Sequence, residues 1–203
     1  MRWYFVLDFE STCFEGKRDH PSEIIEFPVV ILDAKKGVIV DTFRRFVRPT
    51  ENPELSAFCT KLTGIRQNDL AVAAELDVVL TDFDKWLKTK KQELGCQFRP
   101  QNTSTAIFVT WTDWDISQCL WNECKRKKLP VPSDMLNRID LKALFKEWFA
   151  LENPQRKWSG GLADALDAVG LKFEGRPHCG VDDAKNTARL LSHILSRTKL
   201  TSS

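Results

Sequence analysis

Very little charge is left over in this chain. Its 30 basic and 28 acidic side chains give a formal net charge of +2 over 203 residues. A global attraction to nucleic acid is therefore excluded, and any such attraction must rest on a local patch. No stretch approaches the ~20 apolar residues of a membrane span. The first apolar run, Trp3-Tyr4-Phe5-Val6-Leu7, is short and is interrupted by Asp8 and Glu10, so it does not read as a signal peptide. The expected location is intracellular, cytoplasm or nucleus. Paired-cysteine spacing is missing too. The cysteines at 13, 59, 96, 119, 124 and 179 are scattered, and Cys119 and Cys124 lack the CxxC spacing of a zinc site. A chain of this length needs no disulfide staples, so all six read as reduced thiols. There are no repeats, no low-complexity tract and no break in composition. What is present is a globular composition, 42% apolar with seven tryptophans. It is enough for one domain over 1–203 with its core at about 3–195, fraying from Thr198 to Ser203.

The pattern along the chain predicts an α/β fold. Residues 2–9 read as a buried strand. Residues 24–33 read as a second, in which Pro28 suggests a bulge or an edge. After a turn at Lys35-Lys36-Gly37, residues 38–48 alternate and read as a third. Three strands on short links predict an antiparallel meander. Helical spacing follows at 77–91, a strand at 106–111, and an amphipathic helix at 114–127 with Asp113 as its N-cap candidate. A short strand at 138–141 precedes helices at about 141–150, at 160–168 with Ser159 as cap, and at 181–198. This succession predicts a mixed sheet with helices on its faces. The first strand should be central, because it is apolar on both sides.

Asp8 and Glu10 end that first strand. Residues i and i+2 of a strand share a face, so two carboxylates project from one spot. Such a pair is costly unless a cation binds there, and holding a divalent metal for chemistry at phosphate is the simplest reason to build it. Asp115 follows the 106–111 strand at a helix start, His178 sits in Arg176-Pro177-His178-Cys179-Gly180, and Asp183 lies in the first turn of the last helix. Strand ends and helix starts are where α/β proteins place ligand sites. Taken singly, Asp115 and Asp183 read first as capping carboxylates, although neighbouring Asp113 and Asp182 suit that role better. A lone His178 would read as solvated or hydrogen-bonded. His20 and His193 have no acidic context and read as surface or helix residues.

Four blocks in order resemble the DEDDh 3′–5′ exonucleases, in particular their enhanced-RNAi / histone-mRNA 3′-exonuclease-like branch. Leu7-Asp8-Phe9-Glu10-Ser11-Thr12-Cys13 is similar to the first motif, and Leu62-Thr63-Gly64-Ile65 to a substrate-wedge segment. Thr112-Asp113-Trp114-Asp115 is similar to the second motif, and the segment from His178 to Ala188 to the third. Arg48-Pro49 and Ser159-Gly160-Gly161-Leu162 match more weakly. The resemblance spans about residues 3–195. It implies an RNase H-like fold with a five-stranded mixed sheet flanked by helices. It implies that Asp8, Glu10, Asp115 and Asp183 bind metal and that His178, five residues before Asp183, is the general base. Asp115 is chosen over Asp113 because the family's acid follows the aromatic residue, and Asp183 over Asp182 by the five-residue offset. It further implies that Phe9, Thr12, Leu62, Thr63, Trp114 and Ile116 frame the terminal nucleotide, with core packing the competing role. Phe9 should point away from the acids by strand alternation. Lys185, one helical step from Asp183, would touch the scissile strand.

Hard oxygen ligands suit Mg²⁺ or Mn²⁺ rather than zinc, and four carboxylates offset two such ions ~4 Å apart. Histidine suits the base because its ordinary pKa lies near neutrality, and Gly180 is expected to let its loop move. The expected partner is RNA with a free 3′ end, and the product a 5′-nucleoside monophosphate. DNA is the rival substrate, since the 2′-OH is read by local geometry. A catalytically idle binding domain is the rival of another class, disfavoured because all five chemical positions are intact. Lys125-Arg126-Lys127-Lys128 reads as a solvated helix end, a phosphate-tracking patch, or a nuclear-import signal. Lys88, Lys90, Lys91, Arg156 and Lys157 could add a basic rim. The RNA-binding extension of some family members is expected to be absent, since the first motif lies within ten residues of Met1.

Overall fold

The computed structural model describes residues 1–16, 20–98 and 105–200. Its centre is β1 (Trp3–Leu7), buried along its whole length, as an apolar run without alternation requires. It pairs antiparallel with β3 (Ile24–Asp33) and parallel with β5 (Ala106–Thr110). Outside these, β4 (Val38–Phe46) is antiparallel to β3, and β6 (Arg138–Asp140) is parallel to β5. These are the five expected strands. A sixth, the two-residue β2 (Glu10–Ser11), resumes the pairing along β3 after β1 has ended. Pro28 marks neither a bulge nor an edge. It falls where β1 has stopped at Val29 and β2 begins at Glu26, so the missing N–H interrupts no ladder on that side.

Side chains of β1 divide between two cores. Trp3, Phe5 and Leu7 join one with Phe27, Phe43 and Phe108, covered by Leu76, Val79, Phe83 and Leu87 of α3 (Leu76–Glu93). The rings interlock, with Phe5–Phe108 at 5.6 Å and Phe27–Phe83 at 5.1 Å between centroids. Truncating Phe83, which is fully buried, would cost about 3–5 kcal/mol. Tyr4 and Val6 face the other core, with Phe145 of α5 (Leu141–Glu152), Leu166 of α6 (Leu162–Ala168) and Ala184, Ala188 and Leu191 of α7 (Gly180–Leu200). Small residues at 184 and 188, one turn apart, let α7 lie close on the sheet.

Several local expectations change. Two short helices precede α3: α1 (Ala57–Thr63), capped by Ser56 Oγ on the Cys59 N–H, and α2 (Gln67–Ala71). The predicted 114–127 helix is a π-helical turn, Asp115–Leu120, running into α4 (Trp121–Lys127). Asp113 does not cap it. Its carboxylate forms a two-point pair with Arg138, at 2.6 and 2.9 Å. Helix α6 is capped at Gly161, whose N–H donates to the Asp164 carboxylate, and not at Ser159. Helix α7 continues past Thr198 to Leu200, and residues 201–203 lie outside the described ones. Among the described residues no helix is long and apolar enough to cross a membrane. All six cysteines are free.

Candidate active site

The chain leaves β1 at Leu7, bends through Asp8 and Phe9, and re-enters the sheet at Glu10. The bend replaces the continuous strand the alternation argument assumed, yet Asp8 and Glu10 still converge. The first turn of α7 brings Asp183 to them. One carboxylate oxygen from each of the three lies within 4.8 Å of the others. Two contacts dock α7 so tightly. A Cβ on Gly180 would stand 2.5 Å from the Asp8 carbonyl oxygen, so only glycine fits there. The Gly180 N–H donates to the buried Glu26 carboxylate at 3.0 Å, and Arg44 donates to the same group at 2.7 Å. Asp115, at the start of the π-helical turn, accepts the Phe9 N–H at 2.8 Å and is thereby tied to the bend.

Burial and mutual repulsion act on all four acids. The Asp8 carboxyl is pushed well above the usual carboxylate range by burial first, then by Asp115, Asp183 and Glu10. Burial, followed by Asp183 and Glu26, raises Glu10 to about 8. Asp115 is raised to about 7 by burial, against the pull of the Phe9 N–H. Asp183 is likewise raised to about 7 by burial, against the His178 N–H. Oxygen donors this close and this poorly neutralised by the protein fit a divalent cation of the hard class.

His178 is exposed and adopts a left-handed backbone, φ +61°, a conformation histidine tolerates better than most residues. Its N–H donates to Asp183 Oδ2 at 2.8 Å. Asp182 accepts the Arg176 N–H at 3.0 Å, so this acid, as expected, is structural. The Arg176 guanidinium donates to the carbonyls of Lys61 and Leu62 at the end of α1, at 2.8 and 3.2 Å. The histidine turn is thus pinned at both sides. Gly180 is a close-approach glycine at the start of α7 and not a hinge.

These groups line one cavity of about 400 Å³, which holds Asp8, Glu10, Asp115, His178 and Asp183 together. Of the expected substrate positions, Phe9, Leu62 and Trp114 line it as well. Trp114 is exposed, whereas the Phe9 ring packs on Phe27 in the core and Phe9 serves the site through its N–H. The structure does not bring the others there. Thr12 Oγ1 accepts the Glu23 N–H, Thr63 Oγ1 bonds Cys59 and Ile65, Ile116 is core, and Lys185 lies 3.9 Å from Asp182. Sequence reasoning missed Glu26 and Arg176. An acid inside the apolar run Ile24–Leu32 was the available signal for Glu26; Arg176 had none. His20, read as a surface residue, bonds the Thr12 carbonyl at 3.0 Å. On α3, Lys88, Lys90 and Lys91 are paired with Asp84, Asp41 and Asp134.

The exonuclease family model RNase_T matches residues 5–191. The chain belongs to the exonuclease family. It is 43% identical over 197 residues to ERI1 exoribonuclease 2 of Danio rerio, covering 94% of this chain and 34% of that protein. It is 38% identical over 200 residues to the 3′-5′ exonuclease Snipper of Drosophila melanogaster, covering 95% of this chain and 69% of that one. The exonuclease domain superimposes on the nuclease domain of 3′hExo, a DEDDh family member bound to rAMP. The TM-score is 0.83 at 32% identity, over 97% of this chain and 92% of that one. The RNase H-like fold and the resemblance to the DEDDh exonucleases therefore hold. This chain spans about a third of the length of the Danio rerio relative.

Proposed function

We propose that this exonuclease domain is a divalent-metal-dependent 3′–5′ exoribonuclease that releases 5′-nucleoside monophosphates one at a time from RNA with a free 3′ end. The observation that carries the reading is the convergence of Asp8, Glu10 and Asp183 on one spot, beside Asp115 and His178 in one cavity. In this reading the four acids hold two Mg²⁺ or Mn²⁺ ions. When bound, such ions polarise phosphoryl oxygen and acidify water. The chain's own residues do the rest. His178 takes the proton of the attacking water, an imidazole being matched to that task near neutral pH. Asp183 serves twice, as a ligand and as the acceptor that fixes the histidine backbone. Trp114 and Leu62 offer ring and apolar surface to the terminal base. A cavity of about 400 Å³ is of a size for one nucleotide.

The ribose preference is supported by the relatives, one of them an exoribonuclease and another bound to rAMP. DNA remains the competing substrate for the same mechanism. Free thiols at all six cysteines suit a reducing compartment, cytoplasm or nucleus.

The test is a gel assay of end-labelled single-stranded RNA and DNA with Mg²⁺, Mn²⁺ or EDTA, alongside Asp8→Ala and His178→Ala. Stepwise shortening from the 3′ end is expected, abolished by EDTA and by Asp8→Ala, and slowed about 10²- to 10⁴-fold by His178→Ala. Binding without shortening under every metal condition would overturn the reading in favour of a binding module.

A further inference from the structure

Next to the acidic cavity runs a groove of opposite character. Trp114 lines both. Past it, a groove of about 590 Å³ is lined by Gln118, Asn122 and Lys125 on one wall and His20 on the other, with no carboxylate among the described residues of its lining. Lys125 also lines the adjoining groove, which carries Trp121. Trp114 and Trp121 are exposed at 43% and 47%, large values for rings that could have joined the core.

The structure splits the basic run at 125–128 into parts with different duties. Arg126 pairs with Glu51 at 2.9 Å, and Lys127 with Glu23 and Glu123 at 2.9 and 2.7 Å. Lys125 makes no ion pair among the described residues, so its charge is available to the groove. Ring faces alternating with a free cation and amide side chains are what a single strand needs: stacking for bases, charge for phosphates. The seven steps from Trp114 to Trp121 would rise about 10 Å at α-helical pitch, and somewhat less through the π-helical turn, on the order of two to three stacked nucleotide steps.

We propose that this groove is the track for the nucleotides upstream of the scissile one. The strand would pass from Trp114 over Gln118 and Asn122 to Lys125 and stack at its far end on Trp121. The proposal rests on the exonuclease reading of the adjacent cavity and adds a substrate class to it: unpaired strands of several nucleotides. A protein partner on the Trp121 face is the competing occupant.

Steady-state kinetics with a ribodinucleotide and a decaribonucleotide test it. Trp121→Ala and Lys125→Glu should each raise KM for the decamer about tenfold, leaving kcat and the dinucleotide KM unchanged, with Lys125→Arg restoring most of the loss. A decamer KM unmoved by both variants, or a dinucleotide KM raised equally, overturns the track. Both side chains are exposed, so folding is not at stake. Wild type cleaving neither substrate would sink the exonuclease reading alone, because fluorescence anisotropy of labelled decamer then still decides the track. Decamer binding tighter than dinucleotide binding, and lost in Trp121→Ala, upholds it. Equal binding, or retention in that variant, overturns it.

Discussion

Glu23 and Glu10 are buried carboxylates on neighbouring stretches of the same sheet edge, and they are treated oppositely. Glu23 accepts N–H bonds from Thr50, Glu51 and Asn52 and a bond from Lys127 at 2.9 Å. Burial pushes its carboxyl up, yet these donors outweigh it and hold the group down at about 2. Glu10 has no hydrogen-bond donor among the described residues and is pushed up to about 8. This fold can therefore satisfy a buried acid where the acid's role is structural, here joining the 50–52 loop to α4. Around Asp8 and Glu10 it does not, so their charge is offset by protons or by a bound cation.

The largest expected separation between the two regions is in turnover. Glu10→Gln should lower kcat about a thousandfold, equivalent to about 4 kcal/mol of transition-state stabilisation. It should leave the metal-free Tm unchanged or higher, because one repelling charge is gone. Glu23→Ala should do the reverse. It leaves Lys127 without one of its two partners and three N–H groups unpaired, costing about 3–5 kcal/mol in urea unfolding, with kcat of the folded enzyme unchanged. Equal losses of stability in both variants would erase the comparison. Gly180→Ala tests the junction. Its Cβ meets the Asp8 carbonyl, a backbone atom that cannot yield, so about 1–3 kcal/mol of stability and part of the activity should go together. The smallest effect is in pH. Glu10, Asp115 and Asp183 titrate higher in the folded chain than ordinary carboxylates, so between about pH 4 and 8 the metal-free folded state binds more protons than the unfolded state. Its stability then falls as pH rises through that window, while the Glu23 contribution is fully present above about pH 5 and is lost as pH falls from there through about 2. The metal-free Tm should be higher at pH 6 than at pH 8.5, and saturating Mg²⁺ should flatten the difference.

Much of the site was legible because its acids break strong patterns. Asp8 and Glu10 interrupt an apolar strand, and His178 and Asp183 stand at a helix start behind Gly180. The central place of β1 followed from its lack of alternation. Helices α1 and α2 were not legible from periodicity, since they bury only Cys59 and Thr63, and Leu70, respectively. The caps of α1, Ser56 and Gly64, were readable signals; α2, which runs between Arg66 and Val72, offered none of that kind. The π-helical turn from Asp115 to Leu120 keeps the apolar spacing of an ordinary helix, so spacing did not reveal it. Thr12, Thr63 and Ile116 entered as motif neighbours, and adjacency in sequence does not say which way a side chain points. Thr12 and Thr63 turned to backbone partners and Ile116 to the core.

Calorimetric titration of Mn²⁺ into the protein at pH 7, in two buffers of different ionisation enthalpy, decides whether the crowded carboxylates are a cation site. With carboxyls raised to about 7 and 8, metal must displace protons as it binds. Saturable binding with proton release is expected, lost in Asp8→Asn and retained in Glu23→Ala. Absence of binding, or binding with no protons released and unaffected by Asp8→Asn, would contradict it.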